Sequence, residues 1–280
     1  MLRLEAVGTW SDEHELAIPA ARARAYAAAT NDPLAPHADG KLVPPILTYP
    51  IMSRAQDQAY APVAPEGVPA PGLHGEHDFR WHRPVRADET VRTKAAVVGV
   101  HAKRSGTTVV VQGETRDAAG DLVVEQYVTV FYPGYVNPDS AGEEAPQHGF
   151  PEGVRDADPL AVIQQRVDDD QTWRFAGPSR DCNPIHLDDR SAREAGLPGI
   201  INHGMCTLAI AGHGLVTELA AGDPTRLARL AVRFSRPVIP GQTLTTRVWQ
   251  SPTVGTYQFE TTDGSGTTVM KDGLLEVSPA

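Results

Sequence analysis

Arg83-Pro84-Val85 recurs as Arg236-Pro237-Val238, and laying one copy on the other also brings Thr90 onto Thr243 and Thr93 onto Thr246. A unit written twice restricts the fold severely, because both copies must bury the same faces in the same order. A β-rich tail follows each copy. In the first, the runs Val91–Val100, Thr107–Thr115 and Leu122–Tyr132 are separated by the turn signals Arg104-Ser105-Gly106 and Ala118-Ala119-Gly120-Asp121. In the second, Leu244–Trp249, Thr256–Thr262 and Thr267–Val277 are separated by Pro252–Gly255 and Asp263–Gly266. Val109-Val110-Val111 and Val123-Val124 are the β-branched runs expected of strands packed on a helix.

The front ends correspond too. Tyr26–Asp32 resembles Phe175–Asp181 in pattern, so each half has a short helical lead, a polar turn, an apolar segment and then strands. In the second half Gly204–Leu219 carries Met205, Leu208, Leu215 and Leu219 near helical spacing and reads as the long helix. Its glycines weaken its propensity but let a sheet approach closely. The halves are expected at 1–135 and 156–280, joined at 136–155 by a linker holding Pro, Gly and acidic residues. Two units, each a helix laid on an antiparallel sheet, make an α+β chain.

Composition narrows the function classes. A net charge of −10 argues against nucleic acid, which wants a basic surface. No apolar run is long enough to cross a membrane, and Met1-Leu2-Arg3-Leu4-Glu5 does not begin a secretory signal. With only Cys182 and Cys206, no disulfide framework is expected, and a reducing, cytoplasmic setting fits.

The chemistry concentrates in Asp181-Cys182-Asn183-Pro184-Ile185-His186 and in His203-Gly204-Met205 at the head of the long helix. An unsaturated carbonyl compound is electrophilic at C3; water attack there needs a base, a stabilised enolate and a proton for C2. Asp181 and His186, with a bend at Pro184, are the candidate acid–base pair, and sequence leaves open which one takes the proton from water. Asn183 is the candidate to hold that water. The N–H of Gly204, at a helix N-terminus, carries partial positive charge and is the candidate donor to the enolate oxygen.

These residues resemble the MaoC-type, or hydratase 2, family of hotdog-fold enzymes, which carries a D-x-N-P-[LIV]-H core followed by an H-G pair opening the central helix. The strand entry Phe234-Ser235-Arg236-Pro237-Val238 with Pro240-Gly241 is similar as well. The resemblance is close from Thr172 to about Val277 and weaker in the first half. It implies a double hotdog: two repeats, each an antiparallel sheet wrapped around a central helix. It also implies (R)-specific 2-enoyl-CoA hydratase or 3-hydroxyacyl-thioester dehydratase activity. The substrate would be an acyl-CoA, or an acyl carrier protein thioester. No metal and no cofactor are expected, coenzyme A entering only as part of the substrate. Arg180, His203 and Met205 are expected around the substrate, with His203 securing the helix entry. Arg180 stands where the family usually has Gly, so the turn there is expected to adjust. Lys103, Arg104, Arg190 and Arg193 are candidate contacts for a coenzyme A phosphate. A homodimer is expected from exposed sheet edges. The alternative readings are a thioester hydrolase on the same scaffold and a non-catalytic acyl-binding partner subunit.

The first half reads as a scaffold. Asp32 and His37 keep the spacing of Asp181 and His186, but Leu34-Ala35 replaces Asn183-Pro184. Pro50, which has no N–H, is expected where Gly204 stands, and the prolines in Ala61–Gly72 make that stretch a poor helix.

Overall fold

A computed structural model describes residues 1–64 and 72–279. The first half runs β1 (His14–Ala17), α1 (Ala20–Ala29), α2 (Ala35–Ala38), α3 (Thr48–Tyr60), β2 (Leu73–Trp81), β3 (Thr90–Lys103), β4 (Gly106–Arg116) and β5 (Leu122–Pro133). A two-residue strand, β6 (Ala141–Gly142), follows. The second half runs β7 (Ala161–Arg166), α4 (Gln171–Ser179), α5 (Asp189–Glu194), α6 (Gly204–Leu219), β8 (Leu227–Phe234), β9 (Thr243–Gln250), β10 (Thr256–Thr262) and β11 (Thr268–Val277).

The strands of the first half lie in the order β1-β3-β4-β5-β2 and those of the second in the order β7-β9-β10-β11-β8. Counted within its own half, each sheet has the order first, third, fourth, fifth, second, and its neighbours pair antiparallel. The repeat in the sequence is therefore a repeat in topology, and the fold is the α+β double hotdog. The turn signals read from sequence fall between strands, save that Gly106 opens β4.

Two compact units gather the chain, and they do not follow chain order. One holds residues 1–17, 51–83 and 90–147; the other holds 18–50, 84–89 and 148–280. In the first, Met52 of α3 lies on Gly113 of β4, so close that a methyl at Gly113 would fall 1.7 Å from the Met52 sulfur. The segment 136–155 supplies β6, which pairs with β3 through Gly142 and Gly99.

In the second unit α6 is the core element. Leu208 and Leu215 are fully buried, each contributing roughly 1.5–3 kcal/mol by leaving water. The close approach allowed by the helix glycines is realised at Gly214, where a Cβ would meet the Gln165 side chain of β7 at 2.6 Å. α1 and α4 pack together in this unit, with Arg22 Nε donating to the carbonyl of Pro178 at 2.8 Å. Each ends in a residue with left-handed backbone: Asn31 at φ 54° before Asp32, and Arg180 at φ 64° before Asp181. The turn before the motif is thus kept without glycine, at a cost of about 1–2 kcal/mol for the left-handed arginine.

The expected alignment of Pro50 with Gly204 is corrected by the helix starts. α6 begins at Gly204 and α3 at Thr48, so Thr48 is the counterpart and Pro50 sits in the first turn, where its missing N–H is not needed. The amide of Thr48 is still not available, because the turn Pro45–Leu47 takes it as a donor to the Pro45 carbonyl. Beyond Tyr60 the chain leaves the helix in a turn, while Pro65–Pro71 of the stretch expected to be a poor helix lie outside the described residues.

Candidate active site

α4 delivers the motif. Its buried face carries Thr172, Phe175, Ala176 and Ser179, and the left-handed Arg180 then turns the chain outward at Asp181. Asp181 accepts the N–H of Asn183 at 3.2 Å, and Asn183 in turn caps a short 3-10 turn at Pro184–His186 by accepting the N–H of Ile185 at 3.3 Å. These two Asx contacts explain the residue types: a short side-chain acceptor two residues ahead of each N–H tightens the loop. Pro184 fixes the first position of the turn. Asp181, Cys182 and Asn183 stay exposed, whereas His186 is 8 % exposed.

The geometry brings the predicted pair together. A carboxylate oxygen of Asp181 and ring nitrogens of His186 and His203 all lie within 4.8 Å of one another. That span suits one bridging water, since two hydrogen bonds of about 2.8 Å meeting at a water angle reach this far. His186 Nδ1 donates to the carbonyl of Ile201 at 2.9 Å, which fixes the tautomer and leaves Nε2 with its lone pair. Burial lowers the pKa of His186 from its ordinary value, against smaller opposing effects of the Ile201 hydrogen bond and the Asp181 charge. The imidazole is therefore neutral, and competent as a base, at neutral pH.

His203 plays a different part from His186. It is 1 % exposed and stacks on the His186 ring at 3.8 Å and against Phe175 at 4.9 Å. Burial, and then the proximity of His186, push its pKa down to about 4. Neutral His203 donates Nε2–H to the carbonyl of Asp181 at 3.0 Å, so its Nδ1 must accept. The donor is the hydroxyl of Thr172, 3.0 Å away and also 2.9 Å from the carbonyl of His186. With both nitrogens engaged by protein, His203 holds the Asp181 backbone and the helix entry. The same engagement makes the three-residue cluster a poor metal site, for two of its available donors are already committed.

Gly204 opens α6 and is exposed. The first helical bond runs from Thr207 N–H to the carbonyl of His203, so the Gly204 amide lies in the first turn, ahead of any intrahelical acceptor. Met205, next along, is buried. Arg180 is exposed at the rim of the loop. Three of the four candidate phosphate contacts are paired with carboxylates: Lys103 with Glu144 at 2.8 Å, Arg190 with Glu194 at 2.8 Å, and Arg193 with Asp189 at 2.7 Å; Arg104 is exposed in the turn between β3 and β4.

Thr172 and the Ile201 carbonyl were not singled out from sequence. Thr172 had a readable signal: it is a polar residue at helical spacing from Phe175, Ala176 and Ser179, hence on a buried face where its hydroxyl needs partners. The Ile201 carbonyl had none, since any residue type supplies it.

Comparison with known proteins shows the family and the fold. Residues 152–271 match the MaoC-like domain family, and residues 38–134 match the MFE-2 hydratase 2 N-terminal domain. The chain is 34 % identical over 219 residues to 3-hydroxyacyl-thioester dehydratase Y of Mycobacterium tuberculosis, covering 74 % of this chain and 73 % of that protein. It is 27 % identical over 211 residues to a probable enoyl-CoA hydratase 2 of Dictyostelium discoideum, covering 74 % and 70 %. A solved MaoC-like dehydratase from Phytophthora capsici superposes over the whole of both chains with a TM-score of 0.85 at 22 % identity, a likeness of fold.

Proposed function

This chain belongs to the MaoC-like, hydratase 2 family of hydro-lyases, and from that premise we propose that it hydrates trans-2-enoyl-CoA to (3R)-hydroxyacyl-CoA, and reverses the reaction, at Asp181 and His186. The observation that carries the reading is the meeting of an exposed carboxylate with a neutral imidazole whose Nδ1 is tied to Ile201, in a cluster with His203, the residue just before Gly204 at the start of α6.

Water sits between Asp181 and His186 Nε2. As its oxygen bonds to C3, the pair takes one water proton, and electron density moves onto the thioester oxygen. The Gly204 N–H, aided by the helix dipole, stabilises that enolate oxygen; a donor of this kind is worth about 2.7–4 kcal/mol. The pair then returns one proton to C2, so enzyme and proton count end as they began. A glycine at this position leaves the substrate room to approach, as its nearest neighbour, the Phe234 ring, would be 3.5 Å from a Cβ. Proton transfer and enolate stabilisation need no metal or redox group. Asn183 shapes the loop that presents the water.

In this reading the C-terminal repeat, 156–280, carries the chemistry and the N-terminal repeat, 1–135, supports it. The thiols Cys182 and Cys206 are both free, in keeping with a cytoplasmic setting, and the outer strands β1 and β7 offer edges for a homodimer. Among the described residues no helix is long and apolar enough to cross a membrane.

The test follows the loss of conjugated-thioester absorbance with crotonyl-CoA, with chiral analysis of the product. We expect a (3R) product, and falls in kcat/KM of about 10²–10⁴ in Asp181→Asn and in His186→Ala. Full turnover in a folded Asp181→Asn variant sinks the assignment.

A further inference from the structure

α4 turns one face to the core and a second to α1, and a third is left over. Thr172, Phe175 and Ser179 are buried, while Arg174 and the carbonyl of Pro178 bond across to α1. Trp173 and Gly177, four residues apart and so on one side of the helix, are both exposed. Trp173 keeps 49 % of its surface in water, and its indole has no hydrogen bond or ring contact among the described residues. A Cβ at Gly177 would meet no atom within 4 Å, so the flank of the indole is open. Neither a left-handed backbone nor a close neighbour calls for a glycine there.

Arg180 ends the same helix, about 10 Å along from Trp173 at 1.5 Å per residue. Its side chain is exposed and makes no hydrogen bond or ion pair among the described residues, unlike Arg190 and Arg193 with their carboxylates. A second cation stands behind it. Arg22 of α1 is fixed by Nε on the Pro178 carbonyl at 2.8 Å and has no carboxylate partner among the described residues either. Burial, and then the like charge of Arg180, lower the pKa of Arg22 from its ordinary value. Two unpaired guanidinium groups side by side, on a chain of net charge −10, make a local seat for an anion.

We propose that this face of α4 binds the nucleotide end of coenzyme A, with adenine stacked on Trp173 across Gly177 and a phosphate bonded to Arg180 in the field of Arg22. A base and a phosphate joined through a ribose match an aromatic ring and a cation on one helix side. His203 bonds the Asp181 carbonyl at 3.0 Å, so the end of α4 meets the start of α6. The pantetheine arm, about as long as four residues of extended chain or roughly 15 Å, spans from one to the other. The site rests on the hydration reading for its thioester end and deepens it. It selects coenzyme A over an acyl carrier protein, which bears the same arm and a phosphate but no adenine.

Two measurements on the full chain test it. Calorimetric titration with adenosine 3′,5′-bisphosphate needs no turnover. We expect saturable binding, weakened about tenfold in Trp173→Ala and largely kept in Trp173→Phe, as stacking of a base requires. Arg180→Gly, which the left-handed backbone accommodates, weakens it too and lessens its sensitivity to salt. Hydration kinetics are the second measurement, with crotonyl-CoA compared with crotonyl-pantetheine, which lacks the nucleotide. The ratio of KM for crotonyl-CoA to KM for crotonyl-pantetheine rises about tenfold in Trp173→Ala. No saturable binding of the bisphosphate, an affinity unchanged in Trp173→Ala or Arg180→Gly, or an unchanged KM ratio would each overturn the proposal. A protein that binds the bisphosphate through Trp173 but hydrates neither thioester upholds the nucleotide site and refutes the hydration reading instead.

Discussion

Thr172→Val tests whether the site is held together from behind. Valine keeps the shape of threonine and removes only the hydroxyl, which lies 3.0 Å from His203 Nδ1 and 2.9 Å from the His186 carbonyl. One hydroxyl proton serves one acceptor, and neutral His203, already donating from Nε2 to Asp181, is the one that needs it. Without it a fully buried acceptor is left unpaired, at a cost of about 1–3 kcal/mol. For a chain of 280 residues this corresponds to a Tm lower by about 2–5 °C, from an unfolding entropy near 2.1 cal/mol/K per residue. The other escape for His203 is to switch tautomer. It would then turn a lone pair on the Asp181 carbonyl and loosen the turn that aims the carboxylate. Displacement of a reacting group by an ångström costs on the order of a hundredfold, so we expect kcat to fall about 10- to 100-fold with KM little changed. Thr172→Ser retains the hydroxyl and should recover most of the rate. The assay is thioester hydration at pH 7.5 with thermal melts of the same samples. A Thr172→Val protein with full kcat, or a Thr172→Ser protein as impaired as Thr172→Val, refutes the positioning argument.

Three further outcomes are expected. Because burial holds the pKa of His186 below its ordinary value of 6.5, kcat/KM should be flat above pH 6.5 and fall only at lower pH; an acid limb centred above 6.5 contradicts the burial argument. His203 is depressed to about 4, so the unfolded chain binds a proton that the folded chain refuses between pH 6.5 and 4. Stability should therefore decline as pH falls through that window, by up to about 3 kcal/mol from this group, which urea melts at pH 7.5 and 5 would detect. Arg180→Gly relieves the left-handed backbone and should raise stability by about 1 kcal/mol, read as a higher urea midpoint at unchanged slope.

Much of the architecture was legible because periodicity and punctuation are local. The helix Gly204–Leu219 and the strands after each Arg-Pro-Val block fall where hydrophobic spacing and Gly-rich turns put them. The gathering of Asp181 with His186 was legible for the same reason: Asn183 and Pro184 encode a tight turn. Contacts between distant segments were not. Residues 18–50 lie between the first two strands of the first sheet in sequence yet pack in the unit of the second, and nothing in their composition says so. The start of α3 was misjudged by counting alone, because alignment on Pro50 ignored the 3-10 turn at Pro45–Leu47, which begins the helical path early. The Ile201 carbonyl escaped because backbone acceptors carry no residue signature.

The two copies of the loop show what separates a reactive pair from an inert one. Both keep a left-handed residue, then an aspartate, then a histidine at the same interval, so residue type cannot be the difference. The partner of the histidine Nδ1 is. In the first copy Nδ1 bonds the aspartate itself, at 2.7 Å, with both side chains buried, and the carboxylate is consumed in orienting its own neighbour. In the second copy a main-chain carbonyl, that of Ile201, does the orienting, and His203 holds the aspartate by its backbone. Asp181 is thereby kept exposed, with its carboxylate close to an imidazole that does not bind it. If hydration proceeds as proposed, the decisive change between the copies is this transfer of the orienting role from side chain to main chain. Restoring Asn and Pro to positions 34 and 35 should not awaken the first copy, because its carboxylate would remain committed to His37.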